Sequence, residues 1–170
     1  MKTLILCRHA KSDWPEGVAD IYRPLKDRGV QDANYLGQLL AAQSVSPDWV
    51  VSSPARRAQQ TMSIINQRLD YKGEIVTVPE IYYQGLKYLT EYVTAMPDDK
   101  NFAFIYGHNP TFSDAVMHYL LMDSAYSMPT CSMVCLECKS LSWRGFIPGN
   151  IELRWILIPR LQRKESGNMP

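Results

Sequence analysis

The sequence has 170 residues, of which 46% are hydrophobic and 21% are charged, and this composition is typical of one globular domain with a buried core. The net charge of +1 disfavours a general nucleic-acid or membrane-surface binder, because such proteins carry a clustered basic surplus. No apolar stretch reaches membrane-spanning length and Arg8 comes too early for a secretion signal, so we expect a cytoplasmic protein.

The first two thirds of the chain alternate short apolar runs with segments of helical periodicity. Strands are predicted at residues 3–7, 49–51, 75–78 and 102–106, and helices at residues 27–43, after Pro54, at residues 86–96 and from Pro110. Strands that alternate with helices in this way are typical of a parallel sheet with helices on its faces.

The pattern changes in the last third. Residues 131–139 and 151–158 read as two strands, with the turn-rich residues 144–150 and no helix between them, which predicts an antiparallel hairpin at one edge of the sheet. The predicted fold is therefore a three-layer α/β/α sandwich, with a mostly parallel sheet and an antiparallel C-terminal edge. We expect a single domain over residues 1–162, followed by a polar, frayed tail at residues 163–170.

The four cysteines are expected to be free thiols. Three of them, Cys131, Cys135 and Cys138, lie close together in one short segment. This spacing disfavours a disulfide framework, as does the reducing compartment that we expect. A zinc site is disfavoured because along a strand the first two share one face while Cys138 points to the other. We expect neither a metal nor another cofactor.

Three polar segments directly follow predicted strands. They are Arg8-His9-Ala10, Ser52-Ser53-Pro54-Ala55-Arg56-Arg57-Ala58 and Tyr106-Gly107-His108-Asn109-Pro110. In open α/β sheets, ligands bind outside the carboxyl ends of the strands, and helix N-termini there favour anions. We therefore expect Arg8, His9, Arg57 and His108 to converge on one phosphoryl group.

These residue types suit phosphoryl transfer. Arginine grips two phosphoryl oxygens with a planar fork, which assigns Arg8 and Arg57 to charge neutralisation. A neutral imidazole is a competent nucleophile near pH 7, so His9 could accept the phosphoryl group and release it to water without a metal. His108, kept protonated by the bound anion, would add a charge and a donor.

Two further roles are open at this stage. Asn109, next to His108, is a candidate donor to the substrate. Glu80, just past the third predicted strand, is the carboxylate best placed to protonate a leaving oxygen, although Asp13, Asp20 and Glu91 are also acidic residues near predicted loops.

The motifs together resemble the histidine phosphatase superfamily, whose signature is a strand that ends in Arg-His-Gly. Here Ala10 replaces the glycine, and the run Arg-His-Ala-Lys-Ser at residues 8–12 resembles the small SixA-type phosphohistidine phosphatases. Residues 22–29, residues 53–61 and residues 107–110 resemble the other motifs of that branch, in the same order along the chain.

The resemblance implies a phosphoglycerate-mutase-like fold without a helical cap. In residues 53–61, Arg57 rather than Arg56 falls at the position of the family's motif arginine. Ser12 and Arg23 lie in the matched segments and are candidates for substrate binding, with an ion pair that holds the loop as an alternative role for Arg23. The family acid corresponds to Glu80, but the SixA type need not use it.

The expected activity is that of a metal-independent phosphatase with a phosphohistidine intermediate on His9. A site without a cap favours phosphohistidine in a protein as the substrate. The alternatives are a small-molecule phosphomonoesterase or a mutase of the same superfamily, and a phosphate- or phosphoprotein-binding domain without turnover. No nucleic-acid or membrane partner is expected, and the sequence does not decide the oligomeric state, although it is compatible with a monomer.

Overall fold

A six-stranded sheet, ordered β3-β2-β4-β1-β5-β6, forms the centre of the protein in a computed structural model that describes residues 1–166, with side chains as far as residue 163. Its strands are β1 (Lys2–Arg8), β2 (Trp49–Ser52), β3 (Ile75–Thr77), β4 (Phe102–Gly107), β5 (Met133–Cys138) and β6 (Ile151–Leu157). The first four strands are parallel, whereas β5 runs antiparallel to β1 and to β6. The predicted parallel sheet with an antiparallel C-terminal edge is confirmed.

Within residues 1–166, six α-helices connect the strands or follow them. They are α1 (Asp27–Ala42), α2 (Arg56–Arg68), α3 (Glu80–Tyr83), α4 (Leu86–Thr94), α5 (Thr111–Tyr119) and α6 (Pro159–Ser166). Short 3-10 helices lie at Asp20–Tyr22 and Trp143–Gly145. None of the helices within the described part of the chain is both long and apolar enough to span a membrane.

The sheet has a hydrophobic core on each face. Successive side chains of a strand point to opposite faces, so Leu4 and Leu6 of β1 belong to the core beneath α4 and α5, while Ile5 and Cys7 belong to the core beneath α1 and α2. Such fully buried strands explain the continuous apolar run at the start of the sequence. The three-layer sandwich is thus confirmed.

Some element boundaries differ from the prediction. The segment after β3 holds the short helix α3, which the sequence analysis missed, and β5 begins two residues later than expected because Cys131 adopts a positive φ of 60°. The predicted tail begins inside a helix, since α6 extends from Pro159 to Ser166 and the Arg163 guanidinium pairs with Asp32 of α1. Residues 167–170 of the predicted tail lie outside the described residues.

All four cysteines are buried and free, as expected. Burial raises the pKa of the Cys7 thiol well above its usual value, so this residue, which precedes Arg8, is a packing residue in the second core rather than a thiolate.

The loop after β1 is held against the start of α1. The amide of Lys26 donates to the Lys11 carbonyl oxygen at 2.9 Å, and Ser12 forms a bridge with Leu25. Gly29 packs on the Lys11 backbone so tightly that a Cβ at this position would overlap the Lys11 carbonyl oxygen. Close approach of two backbones therefore fixes the loop that follows His9.

We expect Gly29→Ala to lower the free energy of unfolding by about 1–3 kcal/mol, because the backbone of the loop cannot yield as a flexible side chain would. Urea denaturation measures this change. Gly85→Ala is the matched control, since a Cβ at Gly85 meets no atom within 4 Å, and equal losses in the two variants would contradict the packing argument.

Candidate active site

The three predicted motifs meet at the carboxyl ends of β1, β2 and β4. The amide of His9 donates to the Gly107 carbonyl oxygen at 3.0 Å, and the amide of Ser53 donates to the Tyr106 carbonyl oxygen at 2.9 Å. The parallel ladder thus continues one residue past each strand, where the functional side chains begin. This edge of the sheet brings His9, Arg57 and His108 together.

His9 is 8% exposed, and both nitrogens of its ring have a defined environment. Nδ1 lies 2.8 Å from the carbonyl oxygen of Ala10, and the Nε of Arg57 donates to Nε2 at 3.2 Å. A carbonyl can only accept and a guanidinium can only donate, so the neutral ring carries its proton on Nδ1. The lone pair of Nε2 therefore accepts the hydrogen bond from Arg57.

Arg57 reaches His9 because the first turn of α2 is tied to the loop after β1. The Thr61 hydroxyl, which is fully buried, donates to the Arg57 carbonyl oxygen at 2.7 Å and accepts from the amide of Ala10 at 3.0 Å. Ala10 is itself fully buried in the core beneath α1 and α2. The residue that replaces the glycine of the family signature thus contributes its methyl group to the core.

His108 lies beside His9, with 5.1 Å between the two ring centroids. Its Nε2 is 2.7 Å from the Ser53 hydroxyl, which also accepts from the amide of Ala55 at 3.2 Å. His108 Nδ1 and Arg8 Nε are two of seven side-chain atoms in the described residues that are buried without a hydrogen-bond partner. Buried polar atoms are almost always paired, so these two nitrogens point to a ligand with several acceptor oxygens.

Both imidazoles are neutral at pH 7. Burial lowers the pKa of His9 to about 4; the Ala10 hydrogen bond opposes this shift, and the charge of Arg57 adds to it. Burial also lowers the pKa of His108 to about 3, with further contributions from His9 and Arg57. The predicted positive charge on His108 would therefore have to arise when an anion raises this pKa on binding.

Asp20 is the acidic partner of this basic cluster. Its side-chain oxygens accept from Arg57 Nη2 at 3.0 Å, from Arg23 Nη1 at 2.8 Å and from the Tyr82 hydroxyl at 2.6 Å, and its carbonyl oxygen accepts from Arg57 Nη1 at 2.7 Å. Burial favours the protonated acid, but the bonds from Tyr82 and Arg23 and the charge of Arg57 outweigh it and hold the pKa of Asp20 well below its usual range.

The arrangement of Asp20 and Tyr82 was not predicted, although Asp20 was noted as an acidic residue near a loop. Asp20 lies three residues before Arg23 in the segment that precedes α1, and this spacing is the signal that could have suggested an ion pair. Tyr82 is brought to the site by the unpredicted helix α3.

The predicted binding residues are engaged with the protein itself. Arg23 donates to the Asp13 carbonyl oxygen, to Asp20 and to the Ser12 hydroxyl, so the alternative role, an ion pair that holds the loop, describes its contacts. Asn109 Nδ2 donates to the Met128 carbonyl oxygen at 3.0 Å, the same oxygen that accepts from Arg8 Nη1 at 2.6 Å. Substrate contacts by Ser12, Arg23 and Asn109 remain predictions.

Glu80 opens α3 and is half-buried. Its carboxylate interacts with the Tyr88 hydroxyl of α4, whose pKa is raised first by burial and further by this carboxylate. Its role as a proton donor therefore remains a prediction. Within the described residues, no group of three or more His, Cys, Asp and Glu side chains is arranged to hold a metal ion.

Comparison with known proteins gives a family for this site. A model of the histidine phosphatase superfamily (branch 1) matches residues 4–82, which include Arg8, His9 and Arg57. The chain is therefore similar to the histidine phosphatase superfamily over slightly less than half of its length. His108 lies beyond the matched residues, and the structure brings it to the same site.

Two solved structures of SixA-type members of the superfamily share the fold. A candidate phosphohistidine phosphatase SixA from Nakamurella multipartitia is 26% identical, with a TM-score of 0.79 over 93% of this chain and 96% of that one. A protein histidine phosphatase SixA complexed with tungstate is 18% identical, with a TM-score of 0.82 over 94% of this chain and 99% of that one. The fold is that of the SixA-type branch.

A curated relative from Mycobacterium tuberculosis, an uncharacterized protein, is 33% identical over 106 residues. The match covers 62% of this chain and 65% of the relative, and so spans slightly less than two thirds of that protein.

The buried histidines make stability depend on pH. His108 is neutral in the folded protein, whereas in the unfolded chain its pKa has the ordinary histidine value of 6.5. Below pH 6.5 the unfolded state therefore binds more protons than the folded state. The neutral His108 therefore contributes its full stabilising free energy above pH 6.5, and this contribution is lost as the pH falls toward the folded pKa of about 3.

We expect the wild type to lose about 2 kcal/mol more than His108→Asn between pH 7.5 and pH 5.0, because the variant lacks this titrating group. Chemical denaturation at both pH values measures the difference. His118→Asn, at an exposed position of α5, should behave as the wild type, and equal losses in His108→Asn and the wild type would refute a buried neutral ring.

Proposed function

We propose that this protein is a phosphatase that forms a phosphohistidine on His9 and that its substrate is phosphohistidine in proteins. The observation that carries the proposal is the orientation of the His9 ring. Its Nδ1 is tied to the Ala10 carbonyl oxygen and its Nε2 faces the guanidinium of Arg57, so the nucleophilic electron pair lies beside the cation that would hold the phosphoryl oxygens.

In the first step, the hydrogen bond from Arg57 Nε to His9 Nε2 opens and the lone pair of Nε2 forms a bond to phosphorus. The bond between phosphorus and the leaving atom breaks, and its electron pair departs with the leaving group. Arg57 has five N–H groups, of which three are engaged with His9 and Asp20. The remaining two, together with Arg8, can donate to the equatorial oxygens of the transferring group.

His108 can assist without becoming charged. If the Ser53 hydroxyl donates to Nε2, the neutral ring of His108 carries its proton on Nδ1, the buried atom without a partner. An N–H group there is a fixed donor to a phosphoryl oxygen. Pre-oriented donors of this kind stabilise the charge that develops in the transition state.

In the second step, water attacks phosphorus, the bond to His9 Nε2 breaks, and its electron pair returns to the ring. In phosphorylated His9 the proton stays on Nδ1, which donates to the Ala10 carbonyl oxygen. The ring therefore departs as neutral imidazole and needs no external acid. The proton of the attacking water passes to the phosphate that is released. Phosphate and unmodified His9 result.

The same reasoning supports phosphohistidine as the substrate. The carboxylate beside Arg57 belongs to Asp20, and three donors stabilise its ionised form. It is therefore unsuited to protonate an alkoxide leaving group. The imidazole of a protonated phosphohistidine brings its own proton and departs neutral, so that donor and acceptor of the phosphoryl group are chemically alike.

We expect His9→Ala to abolish turnover of a histidine-phosphorylated protein, because the attacking nitrogen is removed. Rapid quenching of the wild type during turnover should show base-stable, acid-labile phosphorylation at His9 by mass spectrometry. His118→Ala, the same substitution on an exposed part of α5, is the control. A binding domain would show neither turnover nor adduct, and a mutase would pass the phosphoryl group to a second substrate rather than to labelled water.

We expect Asp20→Asn to change turnover and product binding in opposite directions. Loss of the acceptor that orients Arg57 should lower kcat about 10–100-fold, whereas removal of a negative charge near the phosphoryl group should tighten inhibition by inorganic phosphate about 3–10-fold. Steady-state kinetics measures both. Asp13→Asn, whose carboxylate pairs with Lys26 instead, is the control, and parallel weakening of both quantities would contradict a positioning role.

A further inference from the structure

The exposed aromatic side chains of the described residues lie on segments that are linked to Asp20. Within the described residues, the large aromatic side chains in the exposed class are Trp14, Tyr22 and Tyr83, at 66%, 65% and 70% exposure. Their segments are far apart in the sequence, in the loop after β1, the 3-10 helix before α1 and helix α3. We call these three residues the aromatic rim.

Each member of the aromatic rim is connected to Asp20. The guanidinium of Arg23 stacks over the Trp14 ring at 4.0 Å from its centroid and also pairs with Asp20. Tyr83 packs edge-on against Tyr82, with 4.8 Å between the ring centroids, and the Tyr82 hydroxyl donates to Asp20.

Tyr22 ends the 3-10 helix that Asp20 begins. Asp20 also binds both terminal nitrogens of Arg57 through its side chain and carbonyl group. Trp14 and Tyr83 are thus linked to the phosphoryl site through side-chain contacts, and Tyr22 through its place in the chain.

Exposed aromatic rings are costly in water, and clusters of them mark contact surfaces. Trp and Tyr are also the residues that most often dominate the energy of protein interfaces. The stacking of Arg23 on Trp14 and the edge-on contact of Tyr82 with Tyr83 hold two of the rings in place before any partner binds. Such preorganisation lowers the entropy cost of binding.

The surroundings of the site indicate the size of the partner. The segment between β3 and β4 could cover the site, but its helix α4 buries Leu89 and Val93 in the core on one face of the sheet. Sites for small ligands enclose most of the ligand surface. Here the phosphoryl group would be enclosed by buried side chains while the rest of the substrate meets the exposed rim, which suits a phosphorylated side chain on a protein.

We propose that Trp14, Tyr22 and Tyr83 form a docking surface for the protein that carries the phosphorylated histidine. This inference rests on the proposed phosphatase activity and deepens it, because it assigns recognition of the partner protein to residues outside the catalytic cluster. The aromatic rim contributes to the encounter with a protein substrate and contributes nothing to the chemical step.

The test compares a protein phosphorylated on histidine with free phosphohistidine as substrates of the same variants. For Trp14→Ala and Tyr83→Ala we expect kcat/KM for the protein to fall about tenfold, through KM rather than kcat, a loss typical of interface aromatic residues. With free phosphohistidine, both constants should stay within about twofold of the wild type. That result would also show that the variants fold and keep an intact site.

Two further variants serve as controls. Leu141→Ala removes a side chain that is 82% exposed but lies between β5 and the 3-10 helix Trp143–Gly145, and it should leave both substrates unaffected. Trp14→Phe keeps an aromatic face and should retain most of the activity on the protein.

The outcomes separate the two proposals. Equal losses on both substrates, or no loss on the protein, would overturn the docking role of the aromatic rim while the phosphatase activity stands. A wild type that hydrolyses neither substrate and forms no adduct on His9 would overturn the proposed function, and the docking role with it. A loss confined to the protein substrate supports both.

Discussion

The hydrogen bond from Arg57 Nε to His9 Nε2 is the interaction on which the rest of the site depends. A guanidinium can donate to an imidazole nitrogen only if that nitrogen is unprotonated, so this contact requires a neutral ring. The Ala10 carbonyl oxygen fixes the remaining proton on Nδ1. Burial and the charge of Arg57 thus both keep His9 neutral, and the same guanidinium would attract an anion to the site.

The positive charges of Arg8 and Arg57 both act at the site and Arg57 is buried, so the two charges repel each other and Arg57 loses contact with water. Asp20 offsets the repulsion by accepting from Arg57 and Arg23, while the Tyr82 hydroxyl completes its hydrogen bonding. Asp20 orients the guanidinium of Arg57 and leaves some N–H groups of that guanidinium unoccupied. The site therefore combines a low net charge on the molecule with a strong local attraction for a phosphoryl group.

Much of this arrangement follows from the sequence. The buried strand at the start of the chain, the helical periodicity around Leu36 and the polar residues after each strand predicted the sheet and the cluster of Arg8, His9, Arg57 and His108. The predicted sheet is confirmed because it depends on local patterns. Parallel strands end at the same edge, and there the structure brings His9, Arg57 and His108 together, while the roles of the site residues stay predictions.

The features that the sequence analysis missed depend on contacts between distant segments. Asp20 and Tyr82 are 62 residues apart and meet only once α3 is folded, and four residues of helix give no periodicity to detect. Likewise, α6 includes residues that were predicted as a tail, and Arg163 pairs with Asp32, 131 residues earlier. A polar segment that is held by one distant ion pair is indistinguishable in sequence from a solvated end.

The buried hydroxyl of Thr61 links two main-chain groups, the carbonyl of Arg57 and the amide of Ala10. The hydroxyl therefore couples the backbone next to His9 to the backbone of Arg57. Thermal displacement of α2 would carry the β1 loop with it, so the separation between nucleophile and cation should fluctuate less than either group does relative to the sheet. The buried Thr61 hydroxyl therefore opposes independent movement of the His9 loop and the first turn of α2.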